Sequence, residues 1–398
     1  MNPAQPKRHA WLIPCALFLQ GVMTLSPLLP AAGIRGKYLY AIVYAASFFV
    51  LWRERRAIPK IGAWLAGGVW VGSCFTALYW QVPKIAFLPY FFVGSVLIAG
   101  VAREDDVHRF INLCTLFLLV MLALSWAGFL FVAHGGESVA SIFNPDGREN
   151  LFYLTTFSNW RVNDSIRPSG VFDEPGTLSF LLCALAALRR IYGRNERTSL
   201  AMLILGMVTF SLTHIAFLFL FVFSRSDRRF RFNLGVFLAI CAGVVLVYFC
   251  LLKGPIDDAI LWKFKYHPET HTISGDNRSE QVQLARSKLT VRSFFWGLDS
   301  LGITSVHAFT EKYSPMTANP MGPLLTSGIL VSFPYYFFLG WLGWKGIRRR
   351  DRRIYLAVLL LFLPRPYVTS YGYAVWAMLF LYALSRPASC PAGERRLS

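Results

Sequence analysis

The residues best suited to chemistry form one stretch, Arg167-Pro168-Ser169-Gly170-Val171-Phe172-Asp173-Glu174-Pro175-Gly176. It places two adjacent carboxylates and a guanidinium where a long polar segment meets an apolar run that starts at Thr177. Arginine offers a planar fork that grips phosphate through two hydrogen bonds and keeps its charge. Paired carboxylates can take a proton as general base or stabilise positive charge developing on a sugar. A plainer role fits the same residues. Pro175 suits a first helical position, and acids favour a helix N-terminus, so Asp173 and Glu174 also read as electrostatic caps. The two roles are compatible. Charge is costly at the centre of a bilayer and cheap at its interface, so a cluster at such a boundary suits an anionic, membrane-bound substrate.

The elements that must hold this stretch are membrane helices. The 398 residues are 55% hydrophobic and only 15% charged, whereas soluble domains carry about 25% charged residues. Aromatic residues make up 16% of the chain, which suits lipid-facing helices and interfacial belts. The formal charge of +19 does not point to nucleic acid, because the basic residues recur in short clusters between apolar runs, as topology signals do. Five of the seven cysteines, Cys15, Cys74, Cys114, Cys183 and Cys241, lie inside apolar runs, with Cys250 near the end of one and Cys390 in the tail. That spacing fits neither a metal site nor a disulfide framework and reads as small buried apolar residues. Lys7 and Arg8 precede the first apolar stretch without an obvious cleavage site, so this stretch reads as a retained first helix.

The fold class expected is an all-α polytopic membrane protein, one integral domain over 1–398 with about twelve transmembrane helices, some of them short or broken. The spans are 11–29, 37–52, 61–80, 85–102, 110–133, 177–192, 198–211, 214–224, 232–252, 321–343, 354–364 and 372–385. Two long external loops, 134–174 and 253–320, interrupt them. The run 198–224 is long enough for one crossing, yet arginines flank it on both sides: Arg189, Arg190, Arg194 and Arg197 before, Arg225, Arg228, Arg229 and Arg231 after. Two short helices turning near Ser211-Leu212-Thr213-His214 keep both clusters inside. The same argument splits 354–385 at Pro364-Arg365-Pro366. Both termini are then cytoplasmic, and short external turns hold only Arg35, Lys37, Lys84 and Arg365.

The first loop contains a turn signal, Asn144-Pro145-Asp146-Gly147-Arg148, and runs through Trp160 and Arg161 to Arg167. The second carries Lys263, Lys265, His267, His271, Arg278, Arg286, Lys288 and Arg292, then Trp296-Gly297-Leu298-Asp299 and Asn319-Pro320. Such arginines suit a lipid diphosphate, or else a solvated face or anionic headgroups. His267 and His271 are four apart, but Pro268 works against a helix there and no third ligand accompanies them, so no metal is expected. His214 reads equally as a site residue or as a polar group satisfied by nearby backbone. No Walker or dinucleotide glycine loop, HExxH helix or serine elbow occurs, and no cofactor is expected.

The Arg167-to-Pro175 segment, opening a helix after an external loop, resembles bacterial O-antigen polymerases of the Wzy type. The wider layout, over roughly 85–345, is similar too. A helix pair turns at Ser211–His214, and the second loop holds Gly275-Asp276-Asn277-Arg278 and Phe294-Phe295-Trp296-Gly297-Leu298-Asp299. The next helix opens on Asn319-Pro320-Met321-Gly322-Pro323. Relatives often have a Ser-Arg pair at the helix turn and a Gly-x-Gly after the second-loop arginine. This chain has Thr213-His214 and Gly297-Leu298-Asp299 instead. The resemblance implies a periplasmic-face glycosyltransferase in the inner membrane that joins repeat units carried on undecaprenyl diphosphate, without metal or nucleotide sugar. In that picture Arg167 and Arg278 hold diphosphate, and Glu174 or Asp173 takes the acceptor proton. Arg286 and Arg292 are further phosphate candidates. Trp160, Trp296 and Tyr313 are candidates for stacking on sugar, and Arg161, His214 and Asn319 for binding substrate. The partners implied are the lipid-linked glycans, membrane lipids and a chain-length regulator protein, with no nucleic acid.

An O-antigen ligase shares this layout but relies on a second-loop histidine near the following helix. Here that neighbourhood reads Thr317-Ala318-Asn319-Pro320, with His307 the nearest. A transporter or flippase would favour internal pseudo-symmetry and charge within spans, and the sequence offers neither.

Overall fold

A computed structural model describes residues 10–33, 36–143, 149–162, 165–224, 266–267, 272–273, 277–313, 319–348, 353–365 and 372–385. Helices dominate. The first part holds α1 (Leu12–Gly21), the single turn α2 (Leu28–Ala31), α3 (Gly36–Glu54), α4 (Lys60–Trp80), α5 (Tyr90–Val101) and α6 (Glu104–Ala133). A central group follows: α7 (Pro175–Ile191), α8 (Glu196–Leu205) and α9 (Leu212–Phe223). Four short helices, α10 (Asn277–Lys288), α11 (Val291–Trp296), α12 (Leu301–Thr304) and α13 (Val306–Tyr313), lead into α14 (Gly322–Arg348), α15 (Ile354–Phe362) and α16 (Tyr373–Ser385).

Four described stretches are long and apolar enough to cross a membrane: Lys60–Trp80, Pro83–Val101, Glu104–Ala133 and Gly322–Arg348. Shorter apolar helices accompany them at Leu12–Leu25, Leu212–Phe223 and Tyr373–Ala383. The chain is a helical membrane protein, with fewer full-length crossings among the described residues than the twelve spans expected. The expected span 232–252 lies outside the described residues. A break in helix lies near each expected split, the first just before the expected Ser211–His214 turn, since Leu212, Thr213 and His214 already belong to α9. After α8 the chain forms a 3₁₀ turn, Gly206–Thr209, and Phe210 adopts left-handed backbone (φ 46°) before α9 begins. The second break falls between the end of α15 and the start of α16.

The core is built around α7. From Thr177 to Arg189 every residue is buried, as expected of a helix enclosed on all sides. It packs on α6, α8, α9, α15 and α16. Its position fixes the first turn, Pro175 to Leu178, against elements from both halves of the chain.

The segment 134–174, expected as a polar loop, is not irregular throughout. It contains a three-stranded antiparallel sheet in the order β1 (Ala140–Phe143), β2 (Glu149–Tyr153), β3 (Thr156–Ser158). A hairpin of β4 (Arg161–Val162) and β5 (Ser165–Ile166) follows. Ser141 pairs with Leu151, and Phe152 with Phe157. The sheet is tied to α6 by the Thr155 hydroxyl, which donates to the Leu124 carbonyl at 2.6 Å. It is tied also by an apolar cluster of Phe129, Val132, Tyr153, Ile166, Val208 and Phe210. The turn Asn144–Arg148 lies outside the described residues.

The described part of the second loop docks on α14 and on the end of α4. Leu298 N–H donates to the Leu325 carbonyl at 2.7 Å, and the Trp80 indole to the Trp296 carbonyl at 3.0 Å. Ala285, Phe309 and Leu325 form a small buried cluster beneath it. α14 breaks at Gly328 (φ 66°, ψ 168°), where the Phe295 carbonyl packs against the glycine. A methyl group there would overlap that carbonyl on backbone that disfavours a side chain. Gly328→Ala is therefore expected to destabilise the protein by about 2 kcal/mol or more. Thermal unfolding in detergent checks this, with Ser327→Ala expected to stay near the parent.

Candidate functional site

The Arg167–Gly176 stretch is stitched to β3 by hydroxyl groups. The Ser158 hydroxyl lies within hydrogen-bond distance of the carbonyls of Trp160 (2.7 Å) and Arg167 (3.0 Å). The Ser169 hydroxyl serves Phe157 and Phe172 in the same way, each at 2.9 Å. Phe157 N–H donates to the Gly170 carbonyl at 2.8 Å, and Gly170 N–H to the Thr156 hydroxyl at 2.9 Å. Gly170 takes left-handed backbone (φ 63°), so the chain turns there from the sheet toward α7. Phe172 is fully buried and edges onto Phe117, and Ser26 donates to the Val171 carbonyl at 2.6 Å. The stretch is thus fastened on two sides before its charged residues appear.

Three of the expected residues come together at the start of α7. Glu174 is the N-cap residue, but its side chain makes no capping hydrogen bond. Its carboxylate instead pairs with the guanidinium of Arg365, which arrives from the turn after α15. Asp173 accepts a hydrogen bond from the Thr177 hydroxyl at 2.8 Å, and that hydroxyl lies 3.2 Å from the Tyr373 hydroxyl. Arg167 donates from Nε to the Thr209 carbonyl at 3.1 Å, which joins the stretch to the break between α8 and α9. Burial draws the Arg167 guanidinium below its ordinary value, and the Glu174 charge acts the other way. For Arg365, burial alone would disfavour the cation. Tyr373 and Glu174, with Asp173 behind them, outweigh that and hold its pKa above the ordinary value.

Arg365 is the residue that sequence reasoning missed. The sequence places it in a short external turn. Its signal there is a lone arginine between two prolines, in turns where basic residues are sparse. Gly176 leaves room for it: a Cβ at that position would sit 2.5 Å from the Arg365 Nη2. Tyr373, whose ring centroid lies 5.5 Å from the guanidinium carbon, completes the wall. These four side chains, Arg167, Asp173, Glu174 and Arg365, have formal charges that cancel.

The other expected residues sit elsewhere. His214 is fully buried between helices. Its Nε2 donates to the Leu203 carbonyl at 2.7 Å, which leaves Nδ1 as acceptor toward Ser179 (3.3 Å) and Cys183 (3.4 Å). Trp160 packs on the Phe129–Tyr153 cluster, and exposed Arg161 lies over the Tyr153 ring at 5.9 Å. Trp296 stacks on Tyr79, with centroids 4.5 Å apart and planes within 3°, and Arg292 lies 5.0 Å over Trp80. Arg286 is exposed on the last turn of α10. Arg278 is on the first turn of that helix, and its side chain lies outside the described residues. Asn319 is buried and accepts Met321 N–H at 2.8 Å, forming the turn into α14. Tyr313 donates to Asp299 at 2.8 Å. Burial pushes the Asp299 carboxyl up, but Lys312, Tyr313 and the N–H groups of Leu301 and Gly302 hold it below its ordinary value. His267 lies in a short strand paired with Thr272, not on a helix, and His271 lies outside the described residues.

No family model, curated protein or solved structure matches this chain.

The stitching to β3 is open to test. Ser169→Ala removes a donor from two carbonyls in a buried site. It is expected to cost about 1 kcal/mol, read as a lower unfolding midpoint of the purified protein.

Proposed function

We propose that this chain is a membrane glycosyltransferase that polymerises undecaprenyl-diphosphate-linked oligosaccharide repeat units, in O-antigen or related polysaccharide synthesis. The observation that carries the reading is the meeting of Arg167, Asp173, Glu174 and Arg365 at the first turn of a helix buried within an apolar bundle. A carboxylate pair beside arginines is suited to glycosyl transfer from a diphosphate. The resemblance in the order of the Arg167, Arg278 and Asn319 motifs supports the same substrate class.

In this reading the acceptor sugar hydroxyl loses its proton to Glu174, with Asp173 the alternative base. Its oxygen bonds to the anomeric carbon of the donor glycan. The bond from that carbon to the diphosphate oxygen breaks, and the electron pair leaves with undecaprenyl diphosphate. Arg167 and Arg278 balance the charge on the leaving group. The reaction runs at the periplasmic face of the inner membrane, with both termini cytoplasmic and a chain-length regulator as partner. The ligase reading is less well supported. The position next to the α14 start is Asn319, which is occupied in forming a turn, and His307 lies on α13 with Nε2 3.2 Å from Glu311.

The test is the glycan ladder of a deletion strain carrying substituted copies of the gene. Arg167→Ala and Glu174→Gln are each expected to cut polymer by roughly 100-fold or more, leaving single repeat units on the lipid core while the protein stays inserted. A normal ladder from Arg167→Ala removes that residue from the site. A normal ladder from Glu174→Gln passes the role of base to Asp173.

A further inference from the structure

The charge balance of the cluster poses a physical problem. A diphosphate brings at least two negative charges, and Arg167, Arg365, Asp173 and Glu174 together offer no net charge to meet them. An arginine whose charge is already balanced by a carboxylate offers its full charge to a phosphate only by changing partner. Arg167 is fastened by Nε to the Thr209 carbonyl, so it has no carboxylate to exchange. Arg365 has the geometry for an exchange. Its partner Glu174 keeps 26% of its side-chain surface exposed, and Arg365 itself 18%, so the pair is reachable. Gly176 leaves the guanidinium without a side chain on that flank.

We propose that Arg365 is a substrate-exchanged cation. It holds Glu174 as the structure shows, passes to the phosphate oxygens when the lipid diphosphate enters, and so releases the Glu174 carboxylate for proton transfer. The inference rests on the polymerase reading and adds a residue and an order of events to it. Phosphate entry precedes release of the base, so the base is freed only when a donor is present. The exchange forms and breaks no covalent bond. One arginine–carboxylate pair becomes one arginine–phosphate pair.

The exchange makes a demand that a fixed structural pair does not. If Glu174 competes with phosphate for Arg365, removing its charge must tighten diphosphate binding even as it abolishes reaction. Undecaprenyl diphosphate binding is measured for the full-length protein in phosphatidylcholine nanodiscs, with phosphatidylglycerol-containing discs as a second arm. Glu174→Gln is expected to bind about tenfold tighter than the parent, and Arg365→Gln about tenfold weaker. Arg365→Lys, which keeps the charge but not the fork, is expected to fall between Arg365→Gln and the parent. Parental binding in Glu174→Gln, with the parent itself binding, overturns the exchange and leaves the polymerase reading standing. A parent that does not bind undecaprenyl diphosphate overturns both. If phosphatidylglycerol displaces the ligand and shows the same pattern across the variants, the cluster recognises headgroup phosphate in general, and the exchange with a lipid diphosphate is overturned. Arg365→Gln that fails to fold does not blunt the test, because the Glu174→Gln arm alone separates competition from structural pairing.

Discussion

The Glu174–Arg365 ion pair joins two distant parts of the chain at the start of α7. Its partners are 191 positions apart. One opens α7, which is buried from Thr177 to Arg189, and the other follows the short helix α15. Partly buried charges are costly without a partner, so the pair constrains everything nearby. It brings the turn after α15 to the N-terminus of α7, favours a glycine at 176, and leaves Glu174 as an N-cap residue that does not cap. A carboxylate at a helix start would ordinarily turn to the free N–H groups. This one turns away from them to meet a cation from across the fold.

The rest of the architecture supplies rigidity around that point. The first long loop is not a loose connection but a small sheet whose hydroxyl-bearing strand β3 holds the charged stretch by its backbone. Arg167 is fastened to the break between α8 and α9, so the residues Gly206 to Ser211 have a structural use: they present the Thr209 carbonyl as an acceptor. Irregular backbone inside a membrane protein is tolerated where protein satisfies its polar groups, and here the arginine does so. The second loop is anchored separately, on α14 and on Tyr79 and Trp80, through a carbonyl fitted against the broken helix at Gly328.

The sequence made the charged stretch legible because carboxylates and arginine at an apolar boundary are conspicuous, and the two helix breaks were legible from the arginine clusters on either side. Arg365 was not, because its meaning lies in a contact with a residue far away in the chain. The sheet was missed because its strands are two to five residues long and lie among turn residues, too short for alternation to register. Other candidate residues have structural partners. Trp296 and Arg292 look like ligand-binding side chains, and they pack on Tyr79 and Trp80. Asn319 forms a turn. His214 finds a carbonyl, which is what a lone histidine in an apolar helix most needs.

In the proposed reaction, charges gathered at the start of α7 transfer one lipid-linked glycan onto another, and reconstitution checks it. Purified protein in lipid vesicles receives only the lipid-linked repeat units that accumulate in a deletion strain. Glycan of increasing length on the lipid and release of undecaprenyl diphosphate are expected, with no other component added. Repeat units that stay single, or that move only when lipid A core is supplied, would contradict the proposed reaction.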